Sequence, residues 1–283
     1  MLDWLKPMTA HLLGSLAFVL AVLAGTARSN AAPGDHDFTG QVPGVAGKTW
    51  IDLLSQIFPS IAVAPSGYAT DGQVIDLPSI GAGDDSWIQC GDVIKLLDRD
   101  ARPIRLGGRD YTIATVMIED DCVGPIALFD DKGKLVDAVN IRGDQHVSFS
   151  GEYVRPLGPD GALVTASLRH DNSSQSYDIS SLILARPGGL SSIGYVLAFG
   201  SRDCRDRFTE ETKIGLTASV PMARINVAIT RRTVKYADDC ETRLGREVKT
   251  TFKGYWRWDA KKNVYEAHTK ELNSLADWNE KHF

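Results

Sequence analysis

The chain has 283 residues, 43% of them hydrophobic and 24% charged, with a formal net charge of -5. That length and apolar content support a sizeable buried core in one large or two modest domains. No long basic run is present, which argues against nucleic acid as a partner, because phosphate neutralisation needs a basic face.

Leu12 to Ala24, LLGSLAFVLAVLA, is an almost unbroken apolar run. Lys6 precedes it and the small residues of AGTARSNAAPGD follow. This three-part layout predicts a secretory signal peptide over residues 1–31, with cleavage after Ala27 or Ala31. The run is short for a permanent membrane span, and no Cys follows it to take a lipid anchor. No later segment is apolar enough to cross a bilayer. The expected mature protein is exported, periplasmic or secreted, with no stable membrane span. Loss of Asp3, Lys6 and Arg28 leaves it 29 basic residues against 35 acidic.

Residues 32–48, rich in Gly, Ala, Pro and Asp, read as a flexible lead-in. Thr49 then opens a predicted helix. Its hydroxyl is placed to cap the free amides, with Asp52 three residues on. Trp50, Leu53, Leu54 and Ile57 share one face, and Pro59 stops the helix. SGYATDG (66–72) reads as a loop. From Gln73 onward, short β-branched runs alternate with Gly, Pro and Asp clusters. Strands are predicted at 73–77, 93–97, 111–118, 124–129, 134–140, 145–149, 162–169, 178–185, 192–199, 225–235, 247–258 and 263–267. Turns are expected at DDKGK (130–134), GPDG (158–161) and PGG (187–189), and within WRWDAKKNVYEA. From Lys270, the apolar positions Leu272, Leu275, Ala276 and Trp278 predict an amphipathic C-terminal helix, with Thr269 as its cap. The expected fold is mainly β: antiparallel sandwich or barrel-like sheets with a short N-terminal helix and a C-terminal helix. Residues 49–203 form the helix and a first β region, and 204–283 form a second β region ending in the helix.

TIATVMIEDDC (112–122) and TRRTVKYADDC (230–240) share the pattern T-x-x-T-V-x-x-x-D-D-C. Each has a Cys upstream, Cys90 by 32 positions and Cys204 by 36. Each is followed by a hairpin pattern, FDDKGKLVDA (129–138) and WDAKKNVYEA (258–267), which comes 11 residues later in the second case. A degenerate internal duplication and a chance likeness between strands both account for this. In an exported chain, Cys90, Cys122, Cys204 and Cys240 predict two disulfides, with three pairings open. Duplication would select Cys90–Cys122 and Cys204–Cys240.

The acidic pairs Asp120–Asp121 and Asp238–Asp239 lack the alternating ladder that wraps calcium, and read as turns after strands. No CxxC and no Cys–His spacing predicts a metal site. No glycine-rich phosphate loop opens a helix, so no cofactor is indicated; SIGAGDDS (79–86) lacks that context. RHDNSSQSYD (169–178) is the densest polar constellation. His170, Asp171, Asn172 and Tyr177 stand there between two strands, and His146 is a neighbour across a third. Adjacent residues of one strand point to opposite faces, however, and no G-x-S-x-G elbow is present. Trp256 and Trp258 share one strand face, with Tyr255 and Arg257 on the other. An exposed Trp pair stacks on sugar rings; a buried pair is core. These features lead to a non-catalytic binding or accessory protein acting on an unidentified ligand or envelope component. The alternatives are a hydrolase using His170 or His146 as base, and a glycan-binding module.

Overall fold

The structure is a computed structural model. It describes residues 38–64, 67–80, 90–119, 123–141, 147–148, 152–203 and 206–281. The expected leader lies outside the described residues, as do His36, Asp120, Asp121, Cys122, His146, Cys204 and His282.

The chain begins with helix α1 (Trp50–Leu54) and strands β1 (Ala62–Ala64), β2 (Gly67–Thr70), β3 (Ile94–Leu106), β4 (Arg109–Ile118), β5 (Pro125–Asp130) and β6 (Leu135–Asn140). Then follow β7 (Val147–Ser148), β8 (Val154–Gly158), β9 (Gly161–Asp171), β10 (Gln175–Arg186) and β11 (Gly189–Ser201). The last elements are β12 (Asp206–Thr217), β13 (Arg224–Lys235), β14 (Val248–Asp259), β15 (Val264–His268) and α2 (Lys270–Glu280). β1 to β6 pair in chain order as one antiparallel sheet. The second sheet runs β15-β14-β13-β12-β11-β10-β9-β7, with β8 also on β9. The expected antiparallel β fold with a helix near each end is therefore present.

α1 forms for the reason its sequence implies. The Thr49 N–H donates to Asp52 Oδ2 at 2.7 Å, and the Asp52 N–H donates back to Thr49 Oγ1 at 3.3 Å. This reciprocal box satisfies donors that a helix start leaves open. Trp50, Leu53, Leu54 and Ile57 then pack into a core with Ile94, Val116 and Phe129 of the first sheet. Gln56 ties the helix to the β5–β6 turn, donating to Gly133 O and accepting from the Leu135 N–H, both at 2.8 Å. Gly133 has φ +74°, and a Cβ there would meet Val45 at 2.9 Å, so glycine is required. Phe38, Val42 and Val45 are buried in the same cluster, so the segment 38–48, Gly- and Pro-rich as it is, packs against α1.

Two further cores follow from strand alternation. The second face of the first sheet (Ile113, Ile126, Leu128) packs on Ala162, Val164, Ile183 and Ala185 of β9 and β10. The opposite faces of β9 and β10 carry Leu163, Leu182 and Leu184. These meet Ile225, Val227, Ile229 and Trp256 of β13 and β14, with Leu272 and Leu275 of α2. Strands at opposite ends of one sheet share a core only if the sheet curls, so the second sheet is a half-barrel with that cluster on its concave side. The bend falls between β11 and β12, where two register pairs are found, Gly200↔Thr209 and Ser201↔Phe208.

Four expectations need correction. SGYATDG (66–72), read as a loop, contains strand β2, Gly67–Thr70. Residues 73–77 are not a strand; Val74, Ile75 and Leu77 instead pack on the first core as irregular chain. The predicted strands lack β1, β8 and β12, the last because Glu210 and Thr212 break the apolar alternation of its inner face. Thr269 stands at the start of α2 but makes no side-chain capping bond.

The repeated pattern lies on β4 and β13, each the second strand of a four-stranded meander. The two hairpins that follow share a register away from the turn, where Leu128↔Asp137 corresponds to Arg257↔Glu266, and part next to it, where a bulge gives Phe129↔Leu135 against Trp258↔Tyr265. Their attachment to the preceding strand does not correspond. Thr112 pairs with Phe129, whereas the aligned Thr230 pairs with Thr251, seven residues short of Trp258. An odd slip turns every side chain to the other face. The two segments therefore share a meander plan and not a residue-for-residue arrangement.

Candidate functional site

Along the concave face of the half-barrel, side chains change character within single strands. β10 presents Leu184 and Leu182, then Ser180 and Asp178; β9 presents Leu163, then Thr165 and Ser167. β12 presents Ile214, then Thr212 and Glu210. Strand alternation places each set on one face, and register joins them, with Ser180 opposite Ser167. The polar halves line a half-open cavity of about 510 Å³ that also takes in Glu152, Arg155 and Ala198.

The cavity carries three carboxylates, Glu152, Asp178 and Glu210, against one guanidinium, Arg155, whereas Glu211 of the same strand as Glu210 turns outward to Arg232 Nη2 at 3.4 Å. Glu210 has a fully buried side chain, and its Oε1 meets Arg231 Nη2 at 2.6 Å. Its Oε2 accepts from Asn279 Nδ2 at 3.0 Å and from the Phe199 N–H at 2.9 Å. Arg231 also donates to Asn279 Oδ1 at 2.7 Å, which closes a network between β12, β13 and α2. The guanidinium lies over Trp278 at 3.9 Å and Phe208 at 4.5 Å. A buried carboxylate is tolerable when its charge and lone pairs are met in this way.

Asp178 is different. Burial pushes its carboxyl above the ordinary value, while hydrogen bonds from Ser180 and Ser167 and the charge of Arg169 act the other way. Ser180 Oγ donates to it at 3.4 Å. Arg155 donates through Nη1 to the Ile214 carbonyl at 3.0 Å, and burial lowers its pKa. The Arg155 Nε and Thr212 Oγ1 atoms are buried with no hydrogen-bond partner among the described residues. Buried polar atoms are normally paired, so the cavity wall holds a donor and a hydroxyl, both shut off from solvent, that no described protein group meets.

The residues singled out from sequence lie elsewhere. His170 stacks on Tyr177, centroids 5.1 Å apart, on the face of β9 and β10 that looks toward the first sheet. Asp171 projects from the opposite face, where Arg169 Nε (2.6 Å) and Arg202 Nη2 (3.1 Å) hold it. The Arg169 hydrogen bond keeps its carboxyl below the usual range. His170 and Asp171 are thus not brought together. Asn172 Oδ1 accepts from the Ser174 and Gln175 N–H groups and shapes the β9–β10 turn.

Trp256 is 4% exposed, in the concave core. Trp258 stands edge-on to Tyr265 at 5.3 Å, beneath Arg186. Of the two readings of this pair, Trp256 takes the core one, because the shared face is the inner one. No cysteine among the described residues is free. No group of three His, Cys, Asp or Glu able to hold a metal is found among them. No helix among the described residues is long and apolar enough to cross a membrane.

Sequence reasoning missed Thr165, Ser167, Asp178, Ser180, Arg155, Glu210 and Thr212. The available signal was the change from apolar to polar at stride two within β9, β10 and β12, which marks a face leaving the core while still lining the concave side. No protein-family model, curated protein or solved structure matches this chain.

Proposed function

We propose that this chain is a non-catalytic binding protein that takes a small polar ligand into the half-barrel cavity. The observation that carries this reading is the half-open polar cavity whose wall holds two buried groups unmet by protein, Arg155 Nε and Thr212 Oγ1. After Arg231 offsets Glu210, Glu152 and Asp178 remain in the lining against Arg155. A ligand bearing an amine among hydroxyls, such as an amino sugar or amino alcohol, complements it. Exported character, expected from residues 1–31, fits an envelope or extracellular accessory role.

The test is a thermal-shift and calorimetric screen of amino sugars, amino alcohols, polyamines and neutral polyols. One amine-bearing polyol class should raise Tm in the parent and lose its effect in Ser167→Val. A ligand bound in the cavity stabilises by mass action. If no ligand shifts the parent, or if Ser167→Val responds equally, the cavity is not the site.

A further inference from the structure

The outer face of the same strands carries a second, independent feature. Register places Lys213 of β12 and Lys253 of β14 on either side of Ala228 of β13. The next row reads Gly215, Asn226, Tyr255 and His268. Gly215 and Ala228 keep the floor low, and a Cβ added at Gly215 would meet nothing within 4 Å. A groove of about 1120 Å³ results.

Arg224 lies over the Tyr255 ring at 5.2 Å, and His268 stacks on that ring at 4.6 Å. The three groups form one fixed row of donors across β13, β14 and β15. At Lys253, β15 has already ended. α2 takes its place, with Glu271 Oε2 accepting the Lys253 N–H at 3.0 Å. The helix then turns Lys270, Asn273, Ser274 and Asp277 to the groove, positions three and four apart on one stripe.

Lys213, Arg224, Lys253 and Lys270 form no ion pair among the described residues. In a chain of net charge -5, four cations converging against two carboxylates, Glu271 and Asp277, give a net positive lining that composition does not dictate. The Arg224 Nε is moreover buried without a hydrogen-bond partner. Lys213 and Lys253 stand two strand spacings apart, roughly 9–10 Å. That spacing matches two separate anionic groups on one ligand better than a single ion. Asp277 and Asn273, on the helix side, are acceptors suited to hydroxyls.

We infer that this groove binds a polyhydroxylated ligand carrying phosphate groups, such as a sugar phosphate or a phosphorylated lipid headgroup. The phosphates sit over Lys213, Lys253 and Arg224, and the hydroxyls face α2. This site lies on the other side of the sheet from the cavity and does not depend on it.

Fructose bisphosphate titrated into the full chain at low ionic strength should bind saturably, and added salt should weaken it. Fructose and inorganic phosphate should each bind about tenfold more weakly or worse, as should the Lys213→Gln/Lys253→Gln variant toward fructose bisphosphate. Arg224→Gln, which leaves both lysines in place, gives a second reading should the double variant misfold. Ser167→Val, in the cavity, should bind like the parent. Sedimentation with phosphatidylglycerol vesicles but not phosphatidylcholine vesicles, lost in the double variant, would identify the source as a lipid headgroup. The inference is overturned if neither probe binds, or if parent and groove variants bind alike. Equal affinity for inorganic phosphate and fructose bisphosphate would overturn the polyol assignment.

Discussion

The cavity and the groove share a wall. Thr212 and Ile214 of β12 face the cavity, while Lys213 and Gly215, interleaved with them, face the groove. The two sites nevertheless treat charge in opposite ways. Inside, Glu210 is surrounded by Arg231, Asn279 and the Phe199 N–H, and Asp178 shifts toward its neutral form. Outside, four cations outnumber the two carboxylates of α2 and form no ion pair among the described residues. The difference follows from solvent. A charge removed from water must be paired or neutralised. A charge kept in water costs little when unpaired, and its interactions are worth little to stability. The Glu210–Arg231 pair therefore belongs to folding, and the outer cations are free for recognition.

That contrast is open to direct test. The largest effect should come from Arg231→Ala, which strands the Glu210 carboxylate. A loss of about 3–5 kcal/mol is expected in urea unfolding. A loss below about 1 kcal/mol would show that Glu210 is not held by this pair.

Next comes the β12–β13 hairpin itself. Cys204 precedes β12 by two residues and Cys240 follows β13 by five, as Cys90 precedes β3 by four and Cys122 follows β4 by four. We propose that Cys90–Cys122 and Cys204–Cys240 close the open ends of these two hairpins. Cys204→Ser should then cost roughly 3.5 kcal/mol, with loop-entropy scaling as the basis. Non-reducing peptide mapping checks the pairing, and a Cys122–Cys204 peptide would rule it out.

Thr212→Val keeps the side-chain shape and removes a buried, unpaired hydroxyl. It should raise stability by about 1 kcal/mol while weakening any ligand held in the cavity. No gain in the urea midpoint would mean that the hydroxyl is satisfied in solution.

Asp178 gives a pH signature. Its folded carboxyl holds a proton more tightly than the unfolded one, so its contribution to stability is fully present below the ordinary Asp range. That contribution is lost as pH rises through the raised folded value. Asp178→Asn should therefore unfold at higher urea than the parent near neutral pH, with the gap closing in acid. A gap independent of pH would contradict the assignment.

The smallest effect should come from Lys253→Gln on the groove side, within about 0.5 kcal/mol of the parent. A large loss there would mean that the groove cations serve the fold.

The repeated T-x-x-T-V-x-x-x-D-D-C pattern shows where sequence comparison stops. Both copies lie on the second strand of a four-stranded meander, and both hairpins that follow keep one register away from the turn. The odd slip between strands two and three, visible in Thr230 pairing with Thr251, cannot be read from either copy. Turn chemistry, legible in DDKGK and DAKKN, sets hairpin register. The longer connection after Cys240 is free to choose another attachment.

Most strands were legible because their buried faces alternate apolar with polar residues, as in Ile225, Val227 and Ile229. The Thr49–Asp52 box and the Leu272–Leu275 stripe marked both helices for equally local reasons. β12 escaped because its inward positions, Glu210 and Thr212, are polar, and they are polar because they line the cavity. His170 and Asp171 drew notice by adjacency, yet adjacency on a strand separates side chains.

Local chemistry along the chain thus dictated the elements, their turns and the β class, since alternation, capping and turn residues act over a few positions. Which faces meet was decided by the curl of the second sheet. That curl brings Leu163 to Ile225 and Ser180 to Thr212 across strands distant in sequence. It buries Trp256, leaves Tyr255 at the surface, and places an acidic cavity and a basic groove on opposite sides of one strand. Such contacts depend on how twisted sheets close on each other, a property of the assembled fold rather than of any single stretch.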